Sequence, residues 1–518
     1  MNSKEILLGM VEKGVLVSPE LFEKHIDEET LKEISKKDMD YLDEKFIKEF
    51  QEEKKTNKQQ NKQQNEPKIR IIQSYNVPPK KRNFQDFVSL FNNRYTNISQ
   101  MLKNRQELTG ITSISRLKTK NQNDKATIIG MVLEKATTKN NNIVLTVEDP
   151  TGKTNVVIIN NEKNKEIYDL ALDISLDEVI GITGSWVNTA IFPDKITFPD
   201  IPLSKELKKQ KEEEYMAIIG DTHFGSKVFM KEEFEKFIEW IQAKSGNEEQ
   251  KNIVKKIKYL ILPGDIVEGV GIYPSQEEDL EIIDIQEQYE EASRCLKMIP
   301  EHIEIIAMSG NHDAGRLSEP QETPFKDMAK ALWNMQNVTL VSNPAYVNIG
   351  KTNEFPGFDL LLYHGGSLIY YSDNVPSIRA AGGQKRSDLI MKYLLQRRHL
   401  APAHGSTLYL PDSEKDYLLI DLVPDFFITG HIHRSSVANY RNVTMINASC
   451  WTETTDDQIK RGLEPLPGRV ILVNLKTRQV KLINFLTEKS KEKEATKQTK
   501  KIARITEEDE EVIDEDEQ

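Results

Sequence analysis

The chain has 518 residues, which is too long for one ordinary domain and predicts a protein of several domains. Its formal net charge is −12, and residues 501–518 hold nine acidic and two basic side chains. The net charge argues against a protein that coats nucleic acid non-specifically, because such binding rests on Lys and Arg neutralising phosphates, although the acidic tail accounts for more than half of that charge.

Two further classes of protein are disfavoured by the composition. No run approaches the roughly 18 consecutive apolar residues that span a bilayer, and the first 20 residues lack the pattern of a secretory signal. The sequence therefore predicts a cytoplasmic protein with no membrane partner. Cys295 and Cys450 are too few for a disulfide framework or a four-thiolate zinc site, and each is expected to be a small buried hydrophobe.

The amino-terminal part of the chain predicts a small module on a tether. Residues 1–50 predict short helices, because apolar side chains such as Ile6 and Met10 recur at helical spacings. Residues 51–75 predict a flexible polar linker. Gln, Asn and Lys dominate residues 51–67, so apolar burial cannot offset the entropy of ordering this stretch.

Residues 76–205 predict a helix followed by an OB-type β-barrel domain. Apolar side chains form a helical stripe over residues 84–108. About five short strands follow in residues 110–200, and residues 149–152 (DPTG) are typical of a hairpin corner. Such barrels bind single strands or dock other proteins. Docking is favoured, because no aromatic residues are evidently interleaved with basic ones.

Residues 206–486 alternate apolar strands with helical segments, a rhythm typical of an α/β domain. Strand candidates such as YMAIIG, YLILPG and DFFITG each end in a polar loop that contains glycine. Helices are expected at 232–243, 286–298 and 325–335. In α/β domains the chemistry lies in loops at the carboxyl ends of strands. The charged residues 487–518 predict a disordered tail.

Histidine and acidic side chains concentrate in five of these loops. Five of the nine histidines lie there, and four of the loops place glycine beside them. Scattered core histidines would not concentrate in this way. The candidate residues are Asp221, His223, Asp265, Asn311, His312, His364, His431 and His433.

Imidazole, carboxylate and amide oxygen together favour divalent first-row metals. In Asp221-x-His223 and His431-x-His433, residues two apart point the same way along an extended backbone, so each strand end can offer two ligands. A bridging carboxylate holds two cations about 3.5 to 4 Å apart, close enough to clamp a phosphoryl group. Asp265 is the expected bridge.

The five motifs, in this order, resemble those of the calcineurin-like metallophosphoesterase superfamily. The resemblance implies an αββα sandwich with a two-metal centre that hydrolyses phosphoesters. It implies two ligand sets: Asp221, His223, Asp265 and His433 for one metal, and Asp265, Asn311, His364 and His431 for the other. His312 would then be the acid near the leaving group. Asp313 either orients His312 or satisfies loop amides, and orientation is the expected role.

Longer stretches narrow this resemblance. GNHDAGRLSEPQ (310–321), LLQRRHLAPAHG (394–405), residues 416–433 and the preceding barrel are similar to the small subunits of archaeal family D DNA polymerases, over roughly residues 76–486. The resemblance implies a 3′–5′ proofreading exonuclease that trims DNA 3′ ends beside a large catalytic subunit, in a heterodimer or heterotetramer. The tethered amino-terminal module would then recruit other replication factors.

Two other functions stay open. A freestanding phosphoesterase or nuclease is disfavoured by the long match outside the metal motifs. A scaffold, as in the non-catalytic B subunits of eukaryotic polymerases, is disfavoured because every ligand position here has a competent side chain. Manganese is the expected metal, although magnesium, iron and zinc suit the same ligands.

Three arginines are candidate contacts for substrate phosphates, because a guanidinium forks onto phosphate oxygens. They are Arg316, Arg397 and Arg398. The alternative is a structural ion pair or a solvated face.

Overall fold

A computed structural model describes residues 3–22, 30–31, 34–35, 41–43, 45–48, 69–455, 458 and 463–493. The chain divides into two compact units, residues 1–68 with 352–354, and the remainder. Most of the expected linker, residues 51–68, and the tail from residue 494 lie outside the described residues. Within the described part, none of the helices has the length and apolarity to cross a bilayer.

The first unit is not purely helical, contrary to the expectation for residues 1–50. Gly14, at φ 90°, follows the first helix in a conformation that favours glycine and turns the chain away. Two short strands then pair in parallel, and a buried cluster includes Leu7, Met10 and Leu21. The elements are α1 (Ser3–Glu12), β1 (Leu16–Val17), a 3₁₀ helix (Pro19–Phe22) and β2 (Tyr41–Leu42).

The second unit begins with a strand where the sequence predicted the end of the linker. Strand β3 (Ile69–Ser74) pairs antiparallel with β13 (Ala345–Ile349). The expectation of a linker is therefore wrong for residues 69–74. The local sequence IRIIQS is rich in β-branched isoleucine, which suits an edge strand.

Helix α2 (Phe84–Lys103) leads into a closed five-stranded barrel. Asn83 caps the helix through a capping box with Asp86. The barrel order is β4-β5-β6-β8-β7, and β4 pairs with β7 to close it. Its strands are β4 (Lys125–Thr137), β5 (Ile143–Asp149), β6 (Gly152–Ile158), β7 (Val179–Val187) and β8 (Ala190–Thr197), with a 3₁₀ helix (Ile114–Thr119) before them and a 3₁₀ turn (Glu162–Asn164) and α3 (Lys165–Leu172) between β6 and β7.

The hairpin predicted at residues 149–152 is present. The Asp149 carboxylate accepts hydrogen bonds from the backbone N–H groups of Thr151 and Gly152. This Asx-type turn explains why β5 reverses into β6 at this point. One face of α2 packs on the barrel, where Ile98 and Leu102 share a cluster with residues of β4 and β7.

Two six-stranded sheets make up the rest of the second unit. The first sheet runs β12-β11-β10-β9-β18-β19, and β9 to β12 are parallel. Its strands are β9 (Tyr215–Ile218), β10 (Ile257–Leu262), β11 (Glu304–Met308), β12 (Val338–Val341), β18 (Arg469–Asn474) and β19 (Val480–Asn484).

The second sheet runs β16-β17-β15-β14-β13-β3. Strands β14, β15 and β17 are parallel, while β13 and β16 pair antiparallel with their neighbours. The strands beyond β13 are β14 (Phe358–Leu362), β15 (Phe426–Thr429), β16 (Ser436–Tyr440) and β17 (Val443–Asn447).

The two sheets share a central apolar cluster, which contains Ile261 of the first sheet and Leu360 of the second. Their chain neighbours Leu260 and Leu361 belong to two outer clusters with the helices. This alternation is the period of a strand buried on both faces. The helices are α4 (Lys231–Ile241), α5 (Glu248–Val254), α6 (Ile285–Leu296), α7 (Lys330–Trp333), α8 (Leu368–Asn374), α9 (Pro376–Ala380) and α10 (Ser387–Arg397), with 3₁₀ turns at Gln276–Asp279 and Gly383–Arg386.

Two expectations need correction. The helix expected over 325–335 is limited to Lys330–Trp333. The tail was expected to be disordered from residue 487, but residues 488–493 are helical. The hydroxyls of Thr487 and Ser490 donate to Glu233 at 2.9 and 2.6 Å, which ties this segment to α4.

Candidate metal centre

The candidate residues lie in loops that leave the carboxyl ends of five strands. Strands β9, β10 and β11 of the first sheet lead to Asp221, Asp265 and Asn311. Strands β14 and β15 of the second sheet lead to His364 and His431. Because the sheets pack face to face, loops from both sheets meet at one edge.

The structure brings these side chains into two overlapping groups. In each group, the possible ligand atoms all lie within 4.8 Å of one another. Asp265 belongs to both groups, as expected for a bridging carboxylate. The groups are Asp221, His223, Asp265 and His433, and Asp265, His364 and His431. Asn311 adjoins the second group, with its Oδ1 2.9 Å from Nε2 of His364.

Two histidines are held by their outer nitrogens so that the inner nitrogens face the centre. His364 donates from Nδ1 to the Pro263 carbonyl at 2.9 Å, and its Nε2 lies 3.1 Å from Oδ2 of Asp265. Nδ1 of His223 lies 2.9 Å from Glu268, and its Nε2 lies 3.1 Å from Nε2 of His433. An outer polar contact of this kind orients a ligand histidine.

The backbone of these loops is left-handed, not extended. Asp221, His223, Asp265, His431 and His433 have φ between 48° and 69°. The explanation of the Asp-x-His and His-x-His spacings by an extended strand is therefore wrong. Non-glycine residues in this region cost on the order of 1 to 3 kcal/mol each and cluster at functional sites.

Glycines beside the ligands provide space for them. A Cβ on Gly264 would clash with Nδ1 of His364, and one on Gly430 would lie 2.9 Å from Oδ2 of Asp221. Gly264 also has φ 108°, which other residues rarely adopt.

Burial and mutual charge set the protonation of the centre. Burial raises the pKa of Asp221. Burial also raises the pKa of Asp265, but His364 and the other imidazoles outweigh it and hold that pKa well below the usual range. Burial lowers the pKa of His431 to about 3 and that of His433 well below its usual value. Both of these imidazoles are therefore neutral and have a lone pair for a cation.

His312 is oriented by Glu268 and not by Asp313. Its Nδ1 donates to the Glu268 carbonyl at 2.7 Å, and its backbone N–H donates to Asp265 at 2.9 Å. Asp313 is buried and accepts from the backbone N–H of Gly310 and from the Tyr289 hydroxyl, at 2.8 and 3.0 Å. The expected role of Asp313 is therefore corrected, because its carboxylate satisfies loop groups.

Two of the three candidate arginines are buried structural residues. Arg397 pairs with the buried Glu178 at 3.2 Å, and Arg398 donates to the Ile420 carbonyl at 2.7 Å. Their exposed fractions are 6% and 4%, which leaves no access for a substrate phosphate. Arg316 pairs with Glu322 at 2.8 Å and stacks on a tyrosine ring. The expectation of phosphate contacts is wrong for Arg397 and Arg398.

Glu268 was missed by the sequence reasoning. Its carboxylate contacts His223, its carbonyl orients His312, and it lies with both histidines in a third compact group. The available signal was an acidic residue three positions after Asp265 in the glycine-flanked stretch GDIVEG.

The comparisons identify a known domain over the same residues. The family model for calcineurin-like phosphoesterases matches residues 216–435, the part of the chain that supplies every ligand candidate. The protein therefore contains a calcineurin-like phosphoesterase domain. At the level of the whole chain, relatives that are 33% to 37% identical over at least 75% of it are DNA polymerase II small subunits, and the protein therefore belongs to that family.

Three relatives support that conclusion. The small subunit of Methanothermobacter thermautotrophicus is 37% identical, over 75% of this chain and 77% of its own. That of Archaeoglobus fulgidus is 37% identical, over 75% of each chain. That of Thermoplasma acidophilum is 33% identical, over 92% of this chain and 91% of its own.

Proposed function

We propose that this chain is the 3′–5′ proofreading exonuclease subunit of a family D DNA polymerase. The proposal depends on one observation, which is that two groups of possible metal ligands share Asp265. Family membership supports the proposal, because the names of the relatives describe the small subunit of a DNA polymerase. The substrate is a single-stranded or mismatched DNA 3′ end, and the large catalytic subunit is the partner.

The residues present fit two divalent cations. The donor set contains carboxylate and amide oxygens and imidazole nitrogens, and ligands of this type suit manganese, magnesium, iron and zinc. Manganese is the proposed physiological metal. Asp221, His223, Asp265 and His433 would hold one cation, and Asp265, Asn311, His364 and His431 the other. Two cations in such a site supply charge stabilisation to the phosphoryl group under attack.

The side chains of the chain itself position this chemistry. The Asp221 carboxylate accepts from the backbone N–H of His431 at 3.1 Å, which joins a loop of the first sheet to one of the second. His312 donates from Nδ1 to a carbonyl, so its Nε2 would deliver a proton to the departing 3′ oxygen only from the imidazolium form, in which both ring nitrogens carry a proton. Burial lowers the pKa of His312, so the imidazolium is the minor form at neutral pH, but its weakly held proton is transferred readily once it is present.

The architecture of the second unit also supports this assignment. The barrel order β4-β5-β6-β8-β7 supports an OB-type barrel, and so does the position of α3 between β6 and β7 along the chain. Two packed sheets with helices on their outer faces support an αββα sandwich. The domain bounds, the cytoplasmic location and a recruiting role for residues 1–50 stay predictions.

The test uses a primer that is labelled at its 5′ end and mismatched at its 3′ end, with Mn²⁺ present. We expect the wild-type chain to shorten it one nucleotide at a time from the 3′ end. His312→Ala should slow this by about 100-fold or more, the usual contribution of general acid catalysis. Asp265→Ala should abolish it, because the shared ligand is lost. His302→Ala, an exposed histidine, is the matched control.

The assay is run on the full chain alone and on its complex with the large subunit. Cleavage that persists unchanged in both site variants would refute the assignment. Wild-type protein that binds two metal ions without shortening the primer would leave a scaffold as the function.

A further inference from the structure

A cleft opens directly behind the His-x-His motif. Its volume is about 170 Å³, and its wall includes Ile432, which lies between His431 and His433 in the sequence, and the next residue, Arg434. The same loop therefore supplies two candidate metal ligands and one side of the cleft.

Two cations in this cleft share one carboxylate. Lys385 Nζ lies 2.7 Å from Oε1 of Glu464, and Arg434 Nη1 lies 3.5 Å from Oε2 of the same residue. Arg434 Nη1 also donates to the backbone carbonyl of Glu464 at 2.9 Å. The side chains are partly exposed, at 46% for Lys385, 26% for Arg434 and 32% for Glu464. Solvent and ions therefore reach the pair.

The rest of the wall combines apolar and amide groups. Ile432 and Leu463 provide apolar surface, and Gln384 provides an amide. The second carboxylate of the wall, Asp373, accepts from the Ser372 hydroxyl at 2.8 Å. Cationic groups beside apolar surface match a nucleotide, which presents a phosphate and a flat base together.

We propose that this cleft, the strand cleft, binds a nucleotide of the single strand whose 3′ end enters the metal centre. Lys385 and Arg434 hold a backbone phosphate, and the apolar wall takes a base. Glu464 occupies the phosphate position when DNA is absent, and a phosphate displaces it. The inference rests on the proposed function, because it assumes that a DNA strand reaches the metal centre.

The exchange of anions is chemically reasonable. A carboxylate and a phosphate both present oxygens that accept from guanidinium and ammonium groups. A guanidinium has five N–H donors, and both contacts of Arg434 with Glu464 use Nη1. Arg434 can therefore turn to a phosphate while it keeps the backbone carbonyl of Glu464. Lys385 is the more exposed of the two cations, so it can also turn from Glu464 to the phosphate.

The first measurement is equilibrium binding of a labelled single strand of about 12 nucleotides, a length within the range of single-strand sites. Calcium replaces manganese to suppress cutting, and the salt concentration is varied. Lys385→Gln and Arg434→Gln should each weaken binding about tenfold. Each should also reduce the slope of log affinity against log salt by about 0.7, the value for one lost phosphate contact on a single strand.

Glu464→Gln should act in the opposite direction. It removes the competing carboxylate at nearly constant shape, so the strand should bind more tightly than it binds to wild type. Lys244→Gln, an exposed lysine after α4, is the charge-matched control and should reproduce the wild-type affinity and slope.

The second measurement is manganese-dependent hydrolysis of bis(p-nitrophenyl) phosphate, a small diester with no nucleotide chain beyond the phosphate that is cut. If the three residues act only on the DNA strand, Lys385→Gln, Arg434→Gln and Glu464→Gln should all hydrolyse this diester at the wild-type rate. Unchanged strand affinity and salt slope in Lys385→Gln and Arg434→Gln would overturn the inference, and so would an equal loss of small-diester hydrolysis. Wild-type protein that hydrolyses neither substrate would refute the proposed function, while the binding data still decide on the cleft.

Discussion

Nδ1 of His223 lies 2.9 Å from Oε2 of Glu268, and both side chains are buried. Burial lowers the pKa of His223, but the contact with Glu268 outweighs burial and raises that pKa to about 9. The same contact turns Nε2 of His223 towards Asp265 and His433. Glu268 thus sets the direction of a candidate ligand without belonging to either of the two main ligand groups.

Glu268→Gln should therefore weaken manganese binding without removing a ligand. The loss of an outer carboxylate on a ligand histidine typically lowers metal affinity by about 10- to 100-fold. The measurement is the manganese concentration that gives half-maximal cleavage, supported by direct metal titration. Glu277→Gln, in the exposed part of the following loop, is the control. Equal manganese requirements in the two variants would contradict the positioning role.

Gly310→Ala should disrupt the centre from the side of β11. A Cβ at this position would clash with Oδ1 of Asp265 and lie 2.8 Å from Cε1 of His364. Overpacking of this kind costs about 1 to 3 kcal/mol, and a displacement of the ligands by about 1 Å costs about 100-fold in rate. Cleavage rate and urea unfolding measure the two effects. Gly315→Ala, whose Cβ would meet nothing within 4 Å, should behave like wild type.

The candidate site was predictable because its signals are local. Asp221, His223, Asp265 and the other ligand candidates sit in short glycine-containing loops after apolar strands, and the structure gathers them. The role of an arginine is not a local property. Arg397 meets Glu178 across 219 residues of sequence, so neither its burial nor its partner could be read from the stretch LLQRRH.

In the fold, too, features with a local sequence signal were predictable and features that depend on distant residues were not. The strands before the motif loops were predictable, because three to five apolar residues in a row before a loop that contains glycine are typical of buried parallel strands. Strand β3 was not predictable, since its partner β13 lies far away in the sequence and its neighbours are polar. The left-handed backbone of the ligand loops was missed for a different reason. In a sequence, glycine is the residue that indicates a left-handed backbone, but in these loops aspartate and histidine adopt it.

Arg94→Met should destabilise the second unit strongly. Arg94 of α2 donates from Nε to Asp416 at 2.9 Å and from Nη1 to the Pro402 carbonyl at 2.7 Å, and it is buried. The substitution leaves the Asp416 carboxylate buried without its cation, a change that typically costs about 3 to 5 kcal/mol. The urea unfolding midpoint measures the effect. Lys165→Met breaks an exposed pair with Asp169 on α3 and should shift the midpoint far less.

Stability should also fall in mild acid because of His399. Its Nδ1 accepts from the Ala401 N–H, so its Nε2–H donates to Asp416, and Arg94 lies beside the same carboxylate. Burial lowers the pKa of His399 in the folded chain. Below the unfolded value of about 6.5, the unfolded chain therefore binds more protons, and folding stability drops with falling pH.

His399→Gln tests this linkage through the slope of stability against pH. Wild type should lose up to about 1.4 kcal/mol per pH unit from this one group as pH falls below about 6.5. The variant should lose stability less steeply over the same range, whatever its stability at higher pH. His302→Gln, at an exposed histidine, should keep the wild-type slope. Parallel curves for wild type and His399→Gln would contradict the assignment.

The shared position of Asp265 predicts an unequal response of metal content to single substitutions. His431 and His433 each belong to one ligand group, whereas Asp265 belongs to both. His431→Gln and His433→Gln should each leave about one manganese ion per chain, while Asp265→Asn should leave fewer than one, because a bridging carboxylate serves both cations.

Asp265→Asn is the sharpest of these variants because it changes charge with little change of shape. Oδ1 of the new amide can still accept from the backbone N–H of His312, so the loop should keep its fold. Elemental analysis after dialysis counts the bound manganese, and Asp327→Asn at an exposed carboxylate is the control. An Asp265→Asn protein that retained two ions would show that each group holds its metal independently, and the bridge would have to be abandoned.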